Sequence, residues 1–228
     1  MTTLGEGGAE VHIQFMIEDR SSAVLIDLLM EKLQGKFPAF TWNIKSFRGI
    51  GGFTKKNTIK ETKTGKLLND LATYLSAFDK QLQGIAAAVF IVVDNDTRET
   101  ADFRRELEQV AQNKRISIDH VFCIAVEEVE AWLLGDRNAV EQAYPSAKSS
   151  VLNTYIQDGI CGTWELLADA VYQGGSRKLK KDCPTYMEIG ERKAVWAKNI
   201  GTYMQLNKNK SPSFQYFMGE LTKRLRSV

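Results

Sequence analysis

The sequence predicts an α/β protein: a four-stranded, mostly parallel sheet flanked by helices, followed by a helical extension. Two observations predict it. Four short apolar, β-rich runs alternate with amphipathic segments of helical period, the pattern of a parallel sheet built with right-handed crossovers. One run, Ile85 to Val93, contains no charge at all and ends at Asp94-Asn95-Asp96. A continuous run of this kind reads as a central strand buried on both faces.

In chain order, Glu10 to Ile17 (EVHIQFMI) reads as the first strand, ending at Glu18-Asp19-Arg20-Ser21-Ser22. Ser21 or Ser22 is the expected N-cap of a helix over Ala23 to Leu33. Phe40 to Phe47 alternates as strand two. A glycine-rich turn, Arg48 to Phe53, then opens a cationic stretch. Lys45 to Lys66 holds seven Lys+Arg, including Arg48, Lys55 and Lys56, against one acid, Glu61. Leu67 to Leu82 reads as a helix, and strand three follows. Asp96 and Glu99 form a capping-box pattern before a helix over Arg98 to Gln112. Strand four has its core at Val121 to Val126 and runs straight into a helix over Glu127 to Asp136. There Glu127 and Glu130 are expected on one face, and Glu130 sits in apolar company that asks for a partner. Beyond Tyr144-Pro145 the reading is a helix over Thr163 to Tyr172, a loop over Gly174 to Pro184 carrying Arg177, Lys178, Lys180 and Lys181, and helices over Glu188 to Leu206 and Pro212 to Leu225. The expected division is 1–145 for the α/β domain and 146–228 for an extension packed on it.

The composition of these 228 residues, 43% hydrophobic and 25% charged, is that of a globular chain with a real core. No apolar run approaches the roughly 20 residues that span a bilayer, and the acidic, Gly-rich start is unlike a signal peptide. Three cysteines without a CxxC pair and only two histidines argue against a structural zinc site. A cytoplasmic location with reduced cysteines is the expectation. The net charge of +2 hides an asymmetry: residues 171–228 carry 12 Lys+Arg against 4 Asp+Glu, and the rest carry 18 against 24. An acidic body with a basic C-terminal region fits a carboxylate site beside a polyanion contact.

The acids at strand ends carry the chemistry. Glu18 follows strand one, Asp94 and Asp96 follow strand three, and Glu130 lies just past strand four. All are expected at the carboxyl-end rim, where open α/β sheets bind ligands. Clustered carboxylates repel one another and suit a hard divalent cation, one or two Mg²⁺ (or Mn²⁺). A metal pair of that kind serves phosphoryl transfer. No histidine stands at a strand end to act as base, so the water nucleophile would need activation by the ion. Cys123 lies inside an apolar strand and is a poor nucleophile candidate.

A Glu after strand one and an Asp-x-Asp after strand three resemble the Toprim fold of topoisomerases, primases and OLD-type nucleases. Ile124 to Asp136 (IAVEEVEAWLLGD) and Ser211 to Phe217 (SPSFQYF) resemble segments of a family of bacterial Toprim-like proteins. The resemblance implies a Toprim-like (Rossmann-like) sheet and a Mg²⁺-dependent, nuclease-like hydrolase site acting on DNA or RNA. It also implies an ATPase partner in defence-type gene clusters, as in phage defence. By matching position, Glu18, Asp94, Asp96 and Glu130 carry over as metal-ligand and catalytic candidates. Arg20 and Lys193 are candidates to steady phosphate, Lys193 by its position in the family pattern. The sequence departs from the pattern at Asp19, where the family has Gly, and at Ser22, where it has an acid. These departures keep a second reading open: a non-catalytic binding or regulatory subunit of an ATPase complex.

Overall fold

The computed structural model describes residues 10–37, 39–47, 66–159 and 162–226. Among them, the α/β part runs β1 (Val11–Ile17), α1 (Arg20–Gln34), β2 (Phe40–Ser46), α2 (Leu67–Gln81), β3 (Ala87–Asp94), α3 (Thr100–Asn113) and β4 (Asp119–Ala125). Then come α4 (Glu130–Leu134), α5 (Arg137–Ala143), α6 (Ser149–Leu152), α7 (Thr163–Val171), α8 (Gly175–Asp182), α9 (Tyr186–Tyr203) and α10 (Pro212–Leu225). The cationic turn with Arg48, Lys55 and Lys56 lies outside the described residues.

The four strands form one all-parallel sheet in the order β2-β1-β3-β4. From β1 the chain moves outward to β2, then crosses back over β1 to β3 and on to β4. Right-handed crossovers in opposite directions must lie on opposite faces of the sheet. Side-chain alternation bears this out. Ile13, Phe15 and Ile17 of β1, with Phe90 and Val92 of β3, face Leu25, Ile26 and Leu29 of α1. Met16, Val89, Ile91 and Val93 face α2 and α3 through Leu71, Leu75, Phe103 and Leu107. The reversal of strand order therefore falls between β1 and β3, and that is where such a sheet opens a crevice at its carboxyl edge.

The C-terminal helices complete the α1 face. Phe217 of α10 meets Phe90 edge-on at 6.1 Å and stacks on Trp132 at 5.0 Å, while Phe15 lies 5.7 Å from Phe90. α9 packs along α1, where a side chain at Gly201 would press on Leu25 and Leu28. Lys32 of α1 donates to the carbonyls of Thr202 and Met204 and so ties down the end of α9. Among the described residues, no helix is long and apolar enough to cross a membrane.

Several boundaries differ from those the sequence suggests. Asp19, not Ser21 or Ser22, caps α1; its Oδ1 accepts from the Ser22 N–H and the Ser21 hydroxyl, both at 2.8 Å. Glu99 caps α3 by itself, accepting from Asp102 N–H, so the Asp96/Glu99 box does not form. The reason is Asp96's backbone, which is left-handed with φ of 48°. The basic segment expected as a loop is helix α8, held by Lys178–Asp182 at i,i+4. Helix α4 starts at Glu130 rather than Glu127, because Glu127 is also left-handed, with φ of 63°. α5 and α6 are too short to show a clear period in the sequence.

Candidate functional site

The site forms where β1 and β3 end. Glu18 extends the β1 ladder by one residue, its N–H donating to the Val92 carbonyl. Its side chain then turns across the crevice, and Oε2 accepts from the Asp94 N–H at 3.0 Å. Asp94, the last residue of β3, is buried, and its Oδ1 has no hydrogen-bond partner. The two acids lie 76 positions apart in the chain and meet because β1 and β3 are neighbours in register.

Two more carboxylates approach after β4, Glu128 from the β4–α4 loop and Glu130 from the first position of α4. Glu130 is buried, and Glu128 is largely so. Both pair with Lys193 of α9: its Nζ lies 2.9 Å from Glu130 Oε2 and 3.2 Å from Glu128 Oε1. Burial opposes the charge on Lys193, but Glu130, Glu128, Asp94 and Asp19 together hold the ammonium protonated well above its ordinary range. The acids pay for the crowding in the opposite sense. Burial, with help from Asp19 and Asp96, pushes Glu18 up to about 8, even though the Asp94 N–H and Lys193 favour its charged form. Burial and the neighbouring Glu18 and Asp19 raise Asp94 well above the carboxylate range. Burial and Glu130 push Glu128 up to about 7, and burial raises Glu130 against the pull of Lys193. A low-dielectric rim with more anions than cations is the physical cause throughout.

Asn95 and Glu127 fix the two loops that carry these groups. Asn95 donates through its side-chain amide to the Arg98 carbonyl and the Thr100 hydroxyl. It also accepts from Glu127 N–H, while Asp96 N–H donates to the Glu127 carbonyl at 3.1 Å. Glu127's carboxylate accepts from the N–H groups of Gly162 and Thr163 and caps α7. Two left-handed non-glycine residues in adjoining loops mark stored strain of the kind that gathers at functional sites.

Of the four acids singled out from the sequence, Glu18, Asp94 and Glu130 are brought together. Asp96 is not turned inward: it is exposed at the rim and paired with Arg98 at 3.1 Å. Glu130 points to Lys193, not to an open coordination position. Glu127 and Glu130 do not share a helix face, because α4 begins only at Glu130. Sequence reasoning missed Asp19 and Glu128 as members and placed Lys193 as a phosphate contact, whereas Lys193 is the buried counter-charge of the cluster. A buried acid-rich segment signals that a cation must lie close, but its position 63 residues beyond Glu130 is not legible. Arg20 is exposed at the start of α1. Lys178 pairs with Asp182, and Lys180 with Glu165. Arg177 and Lys181 are exposed on α8.

Among the described residues, no group of three or more His, Cys, Asp or Glu side chains is arranged to hold a metal ion. The donors that do fit a hard cation are Glu18 and Asp94: two carboxyl groups at the switch point, one with an oxygen that nothing in the protein satisfies. Mg²⁺ commonly keeps several waters and takes only one or two carboxylates from the protein.

Residues 26–222 match the model of the family described as a domain of unknown function, DUF4276. The chain belongs to that family. No curated protein and no solved structure matches it.

Proposed function

We propose that this chain is a Toprim-like, Mg²⁺-dependent phosphodiesterase that hydrolyses nucleic acid, working with an ATPase partner in a defence-type system. The observation that carries the reading is the junction of the half-buried Glu18 and the buried Asp94, joined through one N–H, with Asp94 Oδ1 lacking any donor. Mg²⁺ (or Mn²⁺) held by Glu18 and Asp94 would polarise a phosphoryl oxygen and lower the pKa of water at the site. Glu18 and Asp94 bring the negative charge such an ion requires, and the rim's crowding makes their ionisation depend on it. Lys193 is shared between Glu128 and Glu130 and offsets part of their charge, which lessens the repulsion that a phosphate anion would meet. The basic surface of the C-terminal region supplies salt-dependent attraction for the phosphate backbone.

One observation favours the second reading, a non-catalytic regulatory subunit. Lys193 pairs with Glu128 and Glu130, so part of the acid cluster draws its counter-charge from the protein itself. The deciding experiment incubates the purified chain with Mg²⁺ or Mn²⁺ and labelled single- and double-stranded DNA and RNA. Cleavage that disappears in both Glu18→Gln and Asp94→Asn, with the fold intact by circular dichroism, supports the catalytic reading. Cleavage that persists in both variants refutes it, and a wild-type chain that cleaves nothing yet binds and modulates an ATPase establishes the second.

A further inference from the structure

Helix α9 carries Lys193 into the acid cluster, and the same side of that helix leads out to solvent. Seven residues are nearly two full turns, so Tyr186 lies on the Lys193 stripe, about 10 Å away along the axis. Tyr186 is 96% exposed and Met187 beside it 73% exposed, a large apolar pair left in water at the first turn of α9. Between Tyr186 and Lys193, at i+4 from one and i−3 from the other, stands Gly190. A side chain there would meet nothing within 4 Å, so the helix backbone forms an open floor between the ring and the site. Lys181, exposed in the last turn of α8, precedes this patch in the chain, while Lys180 next to it is paired with Glu165. An exposed aromatic ring leaves apolar surface in water, and covering it with a flat partner is favourable. The basic end of α8, a few residues upstream with Lys181 exposed, fits an anionic partner.

We infer that Tyr186 is a stacking platform for an unpaired nucleobase, with Gly190 leaving room for the strand to run on toward Lys193, so that the substrate class is single-stranded nucleic acid. The inference deepens the reading above and rests on it. Stacking on an aromatic side chain is sequence-tolerant because every base offers a π-face, and it requires a base free of its duplex partner. Charge alone would attract single strands and duplexes alike; the ring is what separates them.

The test measures binding of a fluorescent oligothymidylate and of a duplex to the full chain in EDTA, by anisotropy. Tyr186→Ala is expected to weaken single-strand binding about ten-fold, with Tyr186→Trp retaining it and the duplex little affected. Gly190→Gln is the second variant. It places a better helix former in an exposed turn, so the fold should hold, and it should weaken single-strand binding by obstructing the floor. Unchanged affinity in Tyr186→Ala, or an equal loss for single strand and duplex, overturns the inference. So does a chain whose self-association is abolished by Tyr186→Ala while oligonucleotide binding stays the same, because the patch is then a contact between copies. Tyr186-dependent binding without hydrolysis by the wild type sinks the catalytic reading and leaves this one standing. Hydrolysis with Tyr186-independent binding does the reverse.

Discussion

The N–H of Asp94 donates to Glu18 Oε2 at 3.0 Å, joining the ends of β1 and β3 through a carboxyl group that burial holds to a pKa of about 8. A raised acid pKa means that the folded state binds a proton the unfolded state has released. Between its ordinary 4.5 and about 8, the folded chain therefore loses stability as pH rises. In EDTA, the melting temperature should fall from pH 5 to pH 8, and Glu18→Gln, which has no charge to bury, should flatten that slope. An equally steep slope in Glu18→Gln would show that Glu18 is not the group responsible.

Lys193 is the counter-charge of Glu128 and Glu130, and removing it leaves two buried anions unbalanced. Lys193→Met should cost about 3–5 kcal/mol at pH 8. Lys193 itself stays charged across the neutral range, because its folded pKa is raised and its contribution is lost only as pH climbs past the ordinary 10.5. The pH dependence of the variant comes from the acids instead: Glu128, pushed up to about 7, and Glu130 take protons as pH falls. The penalty read by urea denaturation should shrink markedly at pH 5.

A divalent ion that binds the native state alone stabilises it by mass action, by about 2.7 kcal/mol at one hundred times Kd. For a chain of this size that is on the order of 5–10 °C in Tm. Mg²⁺ or Mn²⁺ should raise the Tm of the wild type and fail to do so in Asp94→Asn. A shift of the same size in that variant would place the ion elsewhere.

The SPSF turn acts as a latch for α4. Asn209 donates to the Trp132 carbonyl and accepts from Ser211 N–H, and Trp132 Nε1 donates to Ser213 Oγ at 2.9 Å. A side chain at Gly135 would collide with Asn209. Gly135→Ala should therefore cost about 1–3 kcal/mol and loosen the turn carrying Glu130, measured by denaturation and by faster amide exchange in α4.

The strands were legible because each is a short apolar run with its own period, and α10 was legible to the residue because Pro212 and its spaced apolar side chains mark both ends. Glu18 and Asp94 were found because a parallel sheet delivers its strand ends to one edge. The capping role of Asp96 was misread because an aspartate is compatible with both a helix cap and a left-handed turn, and here the left-handed backbone turns its carboxylate to Arg98. The α8 helix was misread because its run of cations resembles a solvated loop until Lys178–Asp182 and Lys180–Glu165 pair.

By itself, then, the sequence determined the α/β class, the strand ends and the acids placed there, since these depend on local pattern and on alternation within a few residues. Only the tertiary structure decided which acids face one another, which face solvent, and that Lys193 balances the cluster. Those outcomes depend on charges meeting across α9, β1, β3 and the β4–α4 loop in a space from which water is largely excluded, and no local pattern records such a meeting.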